Sequence, residues 1–124
     1  MQYITDFNQA ELNAADKMRS WGFVDEVATT GRADGGIDVR SSRALAQVKW
    51  KGGAAGSPDM NRLFGARGND TSKQLFFFVA SDYSKAAVKD ADQVGIALFT
   101  YDPVGKVEAS TRWRGRSFNR MMEE

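Results

Sequence analysis

The run Gln74-Leu75-Phe76-Phe77-Phe78-Val79-Ala80 holds, in Leu75 to Ala80, the longest strongly apolar stretch in the chain. An apolar run of this length with no alternation predicts a strand covered on both faces, the signature of a sheet packed between two layers. Downstream, Ser81 is predicted to open a helix on which Tyr83, Ala87, Ala91 and Val94 share one face and which stops at Gly95. Ile96–Tyr101 reads as a second buried strand, Asp102–Gly105 as a turn and Lys106–Arg112 as an edge strand. Upstream, Ser57 as cap with Pro58 at the first helical position and Asp59 behind it predicts a short helix to about Gly65. Strand and helix alternate through this half, which argues for an α/β sandwich with a mixed sheet flanked by helices.

The first half supplies the remaining elements. Asp6 with Gln9 three residues on has the form of a helix start, and Gly22 is a natural stop. Between them Phe7, Ala10, Ala14, Met18 and Trp21 recur at helical spacing and form one apolar stripe. Glu11 falls about 40° from Phe7 at about 100° per residue, so this acid faces the body of the protein or sits as a partly solvated flank residue. Phe23–Ala28 reads as a strand, Thr29–Gly36 as a turn-rich segment, and Ile37–Arg40 with Ala44–Lys51 as a hairpin around Ser41, Ser42 and Arg43. Alternation in the second hairpin strand puts Leu45, Gln47 and Lys49 on one face and Ala46, Val48 and Trp50 on the other.

Composition narrows the chemistry. The 124 residues are 42% apolar and 27% charged, as expected of one soluble globular domain spanning 1–124. Cysteine and histidine are both absent, which excludes disulfides, thiolate or imidazole metal sites and histidine-based triads. Carboxylates, lysines and tyrosines are left for acid–base work. Early charges at Asp6, Glu11, Asp16, Lys17 and Arg19, with no apolar run near the roughly 20 residues of a membrane span, predict a cytoplasmic protein without a signal peptide.

Charge is unevenly placed. Residues 1–38 hold seven acids and three bases, whereas residues 39–73 hold seven bases and two acids, net −4 against +5. An acidic patch beside a basic strip suits a metal-dependent enzyme acting on a polyphosphate, although a mixed solvated surface looks the same in composition.

The chemistry concentrates in Gly35-Gly36-Ile37-Asp38-Val39 and, eight residues on, Gln47-Val48-Lys49. A hairpin folds the strand bearing Asp38 back against the one bearing Gln47 and Lys49, so the three polar groups can converge. Phosphodiester hydrolysis needs an acid to hold a divalent metal, a second oxygen ligand, and a cation to stabilise negative charge or orient water. Asp38, Gln47 and Lys49 supply these in order.

The string Asp34-Gly35-Gly36-Ile37-Asp38-Val39 with Gln47-Val48-Lys49 resembles the Mrr-type restriction endonuclease domain of the PD-(D/E)XK nuclease superfamily. Trp21-Gly22-Phe23, Leu63-Phe64-Gly65-Ala66 and Leu75–Ala87 extend the likeness over most of the chain. The resemblance implies a restriction-endonuclease-like sandwich and a metal-dependent endodeoxyribonuclease using Mg²⁺ or Mn²⁺. It implies Asp38 as the metal-binding aspartate, Gln47 in place of the usual second acid, Lys49 as the catalytic lysine and Glu11 as the first-helix acid. Arg40, Arg43, Lys51, Arg62 and Arg67 would hold the DNA backbone. Sequence specificity would come from loops, a homodimer or a separate recognition partner. A non-catalytic nuclease-fold module binding nucleic acid or a protein, and a Holliday-junction resolvase-like enzyme, are the alternatives.

Gln47 brings an amide oxygen but no charge. At an effective dielectric near 20, a unit charge about 4 Å away is worth on the order of 4 kcal/mol, so another acid is expected to compensate. Glu11 is the first candidate and Asp34 the second, the latter with a rival reading as a turn residue before two glycines. Gly31–Gly36 lacks the Gly-Lys-Ser/Thr ending of a phosphate loop. Lys51-Gly52-Gly53 either lets a nucleic-acid backbone approach or is a plain connection. Trp50 and Phe76–Phe78 read as core rather than as base-stacking platforms. Arg112, Arg114 and Arg116 alternate along an edge strand, to contact phosphates or to protect that edge.

Overall fold

The computed structural model describes residues 3–25, 27–28, 37–50 and 52–110. Its elements run α1 (Phe7–Ser20), β1 (Val27–Ala28), β2 (Val39–Arg40), β3 (Ala44–Lys49), α2 (Ser57–Arg67), β4 (Gln74–Val79), α3 (Lys85–Val94), β5 (Ile96–Tyr101) and β6 (Val107–Ala109), the order expected from the sequence. All strands join one mixed sheet in the order β1-β2-β3-β4-β5-β6. The hairpin strands and β6 pair antiparallel, while β3, β4 and β5 pair parallel through crossovers that carry α2 and α3.

The Phe-rich run forms β4, the strand between the other two parallel ones, and Leu75 to Val79 are all buried. Register divides the sheet into two faces. Ala46, Phe76 and Ala97 align on one, as do Val48, Phe78 and Phe99, and Trp21 from the end of α1 lies on them with its ring 4.9 Å from that of Phe99 and 5.6 Å from that of Phe76. Leu45, Gln47 and Lys49 align with Leu75, Phe77 and Val79 on the opposite face. There the Tyr83 ring meets Phe77 edge-on, and its hydroxyl shares its one proton between the carbonyls of Phe77 and Phe99, at 2.8 and 2.6 Å, and accepts the Phe99 N–H. The hydroxyl stitches β4 to β5 from within the core.

Local chemistry accounts for the helix limits. Asp6 accepts the Gln9 N–H at 2.8 Å, while Gln9 reaches past the cap to accept from Thr5. At the other end the Phe23 N–H bonds back to Met18, Gly22 takes a positive φ of 106°, and the Arg43 guanidinium bonds the Gly22 carbonyl. Phe23 is therefore part of the helix stop, and the predicted strand over 23–28 reduces, among the described residues, to Val27–Ala28. Helix α2 is capped by Gly56 instead of Ser57, and it continues past Gly65 to Arg67 because Gly68 provides the positive φ. Helix α3 starts at Lys85 rather than Ser81. Ser81 donates to the Gly53 carbonyl, Ala55 pairs with Tyr83, and the chain stays extended until Ser84 accepts the Ala87 N–H as cap. No helix among the described residues is long and apolar enough to cross a membrane.

Candidate active site

The site grows from the place where the hairpin ladder ends. In register, Val39 faces Ala46 and Arg40 faces Leu45. Asp38 leaves the ladder: its N–H goes to the Ala46 carbonyl at 2.8 Å, and its carboxylate Oδ2 accepts the Val48 N–H at 2.7 Å. A side chain thus replaces a backbone carbonyl as the acceptor for β3, with the charge-assisted strength of a carboxylate. The consequence is positional, because Val48 lies between Gln47 and Lys49 on the strand. The Asp38 carboxylate is held against the backbone that projects both.

Gln47 is 8% exposed, and its Oε1 has no hydrogen-bond donor among the described residues. A buried amide oxygen without a donor costs on the order of 1–3 kcal/mol unless something else takes its lone pairs. An all-oxygen set of a carboxylate and an amide is what a hard divalent cation binds, so these residues fit such a metal.

Lys49 is anchored at its root, where its carbonyl accepts both the Ala80 N–H and the Tyr101 hydroxyl. Burial pushes the Tyr101 phenol up to about 12, so it stays a donor at any working pH. The Lys49 ammonium lies 3.6 Å from Oδ2 of Asp59 and 3.4 Å from the Ala54 carbonyl. Asp59, which the sequence marked only as part of a helix start, is therefore the acid paired with Lys49. The signal was available: a helix beginning eight residues after Lys49 starts beside the end of β3 when the connection doubles back.

Glu11 is only 1% exposed, on the side of α1 that also buries Ala10, Ala14 and Ala15. The flank alternative falls, because a carboxylate this deep is retained only where a compensating charge or hydrogen bonds offset its desolvation. Helix α1 packs on β1, β2 and β3, with Trp21 on the aromatic face, whereas Gln47 and Lys49 point to the face shared with α2. No group of three or more acidic side chains with metal-binding geometry occurs among the described residues.

The basic residues divide. Arg40 and Arg62 are exposed, and Arg62 lies 3.8 Å from Asp59. Arg43 is committed to the Gly22 carbonyl and stands 5.1 Å over the Phe23 ring, and Arg67 stands 5.1 Å over Phe64. Lys51, Asp34, the Gly31–Gly36 segment and Arg112, Arg114 and Arg116 lie outside the described residues. The Gly52–Gly56 loop is no plain connection, since Ser81 bonds the Gly53 carbonyl and Ala55 bonds both Asp82 and Ser84.

A mixed sheet between helices, with Asp, Gln and Lys set on its antiparallel β2–β3 hairpin, defines a restriction-endonuclease-like protein. The family model described as "Restriction endonuclease", of the Mrr catalytic type, matches residues 6–104. The chain belongs to this Mrr-type family of nucleases. No curated protein and no solved structure matches it.

Proposed function

We propose that the protein is a metal-dependent endodeoxyribonuclease that hydrolyses DNA phosphodiester bonds at Asp38, Gln47 and Lys49. The observation that supports it most is the seating of the Asp38 carboxylate on the Val48 N–H, one residue along β3 from Gln47, whose buried Oε1 has no donor among the described residues. Asp38 and Gln47 would hold Mg²⁺, or Mn²⁺ in its place, while Glu11 packs with α1 against the other face of the sheet. When bound, such a cation polarises a phosphoryl oxygen and makes water a better nucleophile. Lys49 stabilises the charge that develops on the phosphorane-like oxygens or orients the attacking water. The exposed Arg40 and Arg62, together with Lys51, would hold the phosphate backbone, with affinity that falls as salt rises, while Arg43 and Arg67 are engaged with Phe23 and Phe64. Cutting both strands would call for a two-fold dimer, and sequence choice for loops or a recognition partner.

Incubation with supercoiled, linear and branched DNA in Mg²⁺, Mn²⁺ or EDTA tests the reading. Mg²⁺-dependent cutting that Asp38→Ala and Lys49→Ala abolish, with DNA binding retained in the latter, is expected. Cutting confined to branched DNA identifies a junction resolvase, and binding without cutting under any metal identifies a non-catalytic module. Activity that survives EDTA and Asp38→Ala overturns the metal mechanism.

A further inference from the structure

A lysine ammonium is a compact charge on a flexible four-carbon stem, so a strand that places its Cα does not by itself place its Nζ. Here both ends of Lys49 are held. Its carbonyl is bound by Ala80 and Tyr101, and its Nζ lies between Asp59 Oδ2 and the Ala54 carbonyl at 3.6 and 3.4 Å. Asp59 is itself immobilised, because Oδ2 accepts the Gly56 N–H at 2.9 Å in the first turn of α2 and Oδ1 lies 3.8 Å from Arg62.

We propose that Asp59 is a positioning residue for Lys49, aiming its ammonium in the phosphodiester hydrolysis, a role that rests on the nuclease reading above. An ammonium has three donors: one reaches the Ala54 carbonyl, while Asp59 holds the charge as an ion pair at 3.6 Å, beyond hydrogen-bond range, so donors are left for a phosphoryl oxygen or the attacking water. The pairing does not cancel the positive charge presented to DNA, since Lys49, Asp59 and Arg62 together sum to +1. It removes rotamer freedom that the reaction would otherwise have to freeze.

Asp59→Asn separates this role from helix capping, because the amide oxygen still accepts the Gly56 N–H while the charge is lost. The variant is expected to lower kcat about tenfold or more, with KM for DNA changed less than about threefold, and to leave Tm within about 2 °C. Asp59→Glu, which keeps the charge and can still cap, is expected to recover kcat to within about threefold of wild type. A readout independent of cleavage is acylation of Lys49 by an N-hydroxysuccinimide ester, followed by peptide mass spectrometry; in Asp59→Asn it should speed up about threefold or more as the ammonium is released. In a wild type that cuts DNA, an unchanged kcat or unchanged acylation in Asp59→Asn overturns the positioning role. So does a loss of kcat in both variants that tracks a common drop in Tm. A wild type that cuts nothing, with acylation accelerated in Asp59→Asn, overturns the nuclease reading and the catalytic role with it, and leaves only the ion pair.

Discussion

Gln47→Glu is the substitution that weighs the missing charge directly. Gln47 sits 8% exposed, and the Asp38 carboxylate is seated at the next residue's N–H. A glutamate there places a second negative charge in a buried site. Without metal, desolvation and repulsion from Asp38 are expected to cost about 2–3 kcal/mol at pH 8, or a fall in Tm of about 6–15 °C for a chain of this size. With metal the sign reverses. A unit charge about 4 Å away at an effective dielectric near 20 offers on the order of 4 kcal/mol. Desolvation takes back part of it, leaving about 1.5–3 kcal/mol, or about tenfold to 150-fold tighter Mg²⁺ binding. Thermal melting of wild type and Gln47→Glu in EDTA and across a MgCl₂ titration reads both effects. Equal Tm in EDTA together with equal Mg²⁺ dependence would mean that residue 47 neither lies beside Asp38 nor faces a cation.

Two further predictions concern the frame. Tyr83→Phe removes the hydroxyl bridging the Phe77 and Phe99 carbonyls and the Phe99 N–H, and should cost about 1–3 kcal/mol in a urea unfolding experiment; a value below about 0.5 kcal/mol would show that the bridge is dispensable. Hydrogen bonds from Ser42 and Ser41 hold the Asp25 carboxyl down at about 2, so this group adds stability above its ordinary value of 3.8 and loses it as pH falls toward 2. Melting between pH 6 and pH 3 should therefore fall further for wild type than for Asp25→Asn, and parallel curves would remove the acid from the hairpin turn.

Much of the frame was legible because it rests on local patterns. The unbroken Leu75–Val79 run reads as a doubly covered strand, and the period-two alternation of β3 places Gln47 and Lys49 on one face without any register. What sequence patterns missed were decisions made by distant partners. Ser81 looks like a helix cap as much as Ser84 does, and only the Gly53 carbonyl and the Ala55 bridge decide between them. Phe23 has the propensity of a strand residue, yet its N–H completes the stop of α1. In the site, the convergence of Asp38 with β3 followed from hairpin geometry, but its replacement of a ladder carbonyl at Val48 did not. Helical spacing left Glu11 at a rim, and packing on β1–β3 buries it. Asp59 reads from its own neighbours only as a helix-start residue, and its pairing with Lys49 is carried by the short loop that returns α2 to the end of β3, not by any periodicity.

Whether Asp38 and Gln47 share one cation is read out by diffraction from crystals soaked in Mn²⁺. An anomalous peak about 2.1–2.2 Å from both the Asp38 carboxylate and Gln47 Oε1 is the predicted result. A peak elsewhere, with the Gln47 oxygen instead bonded to protein or water, would contradict the account.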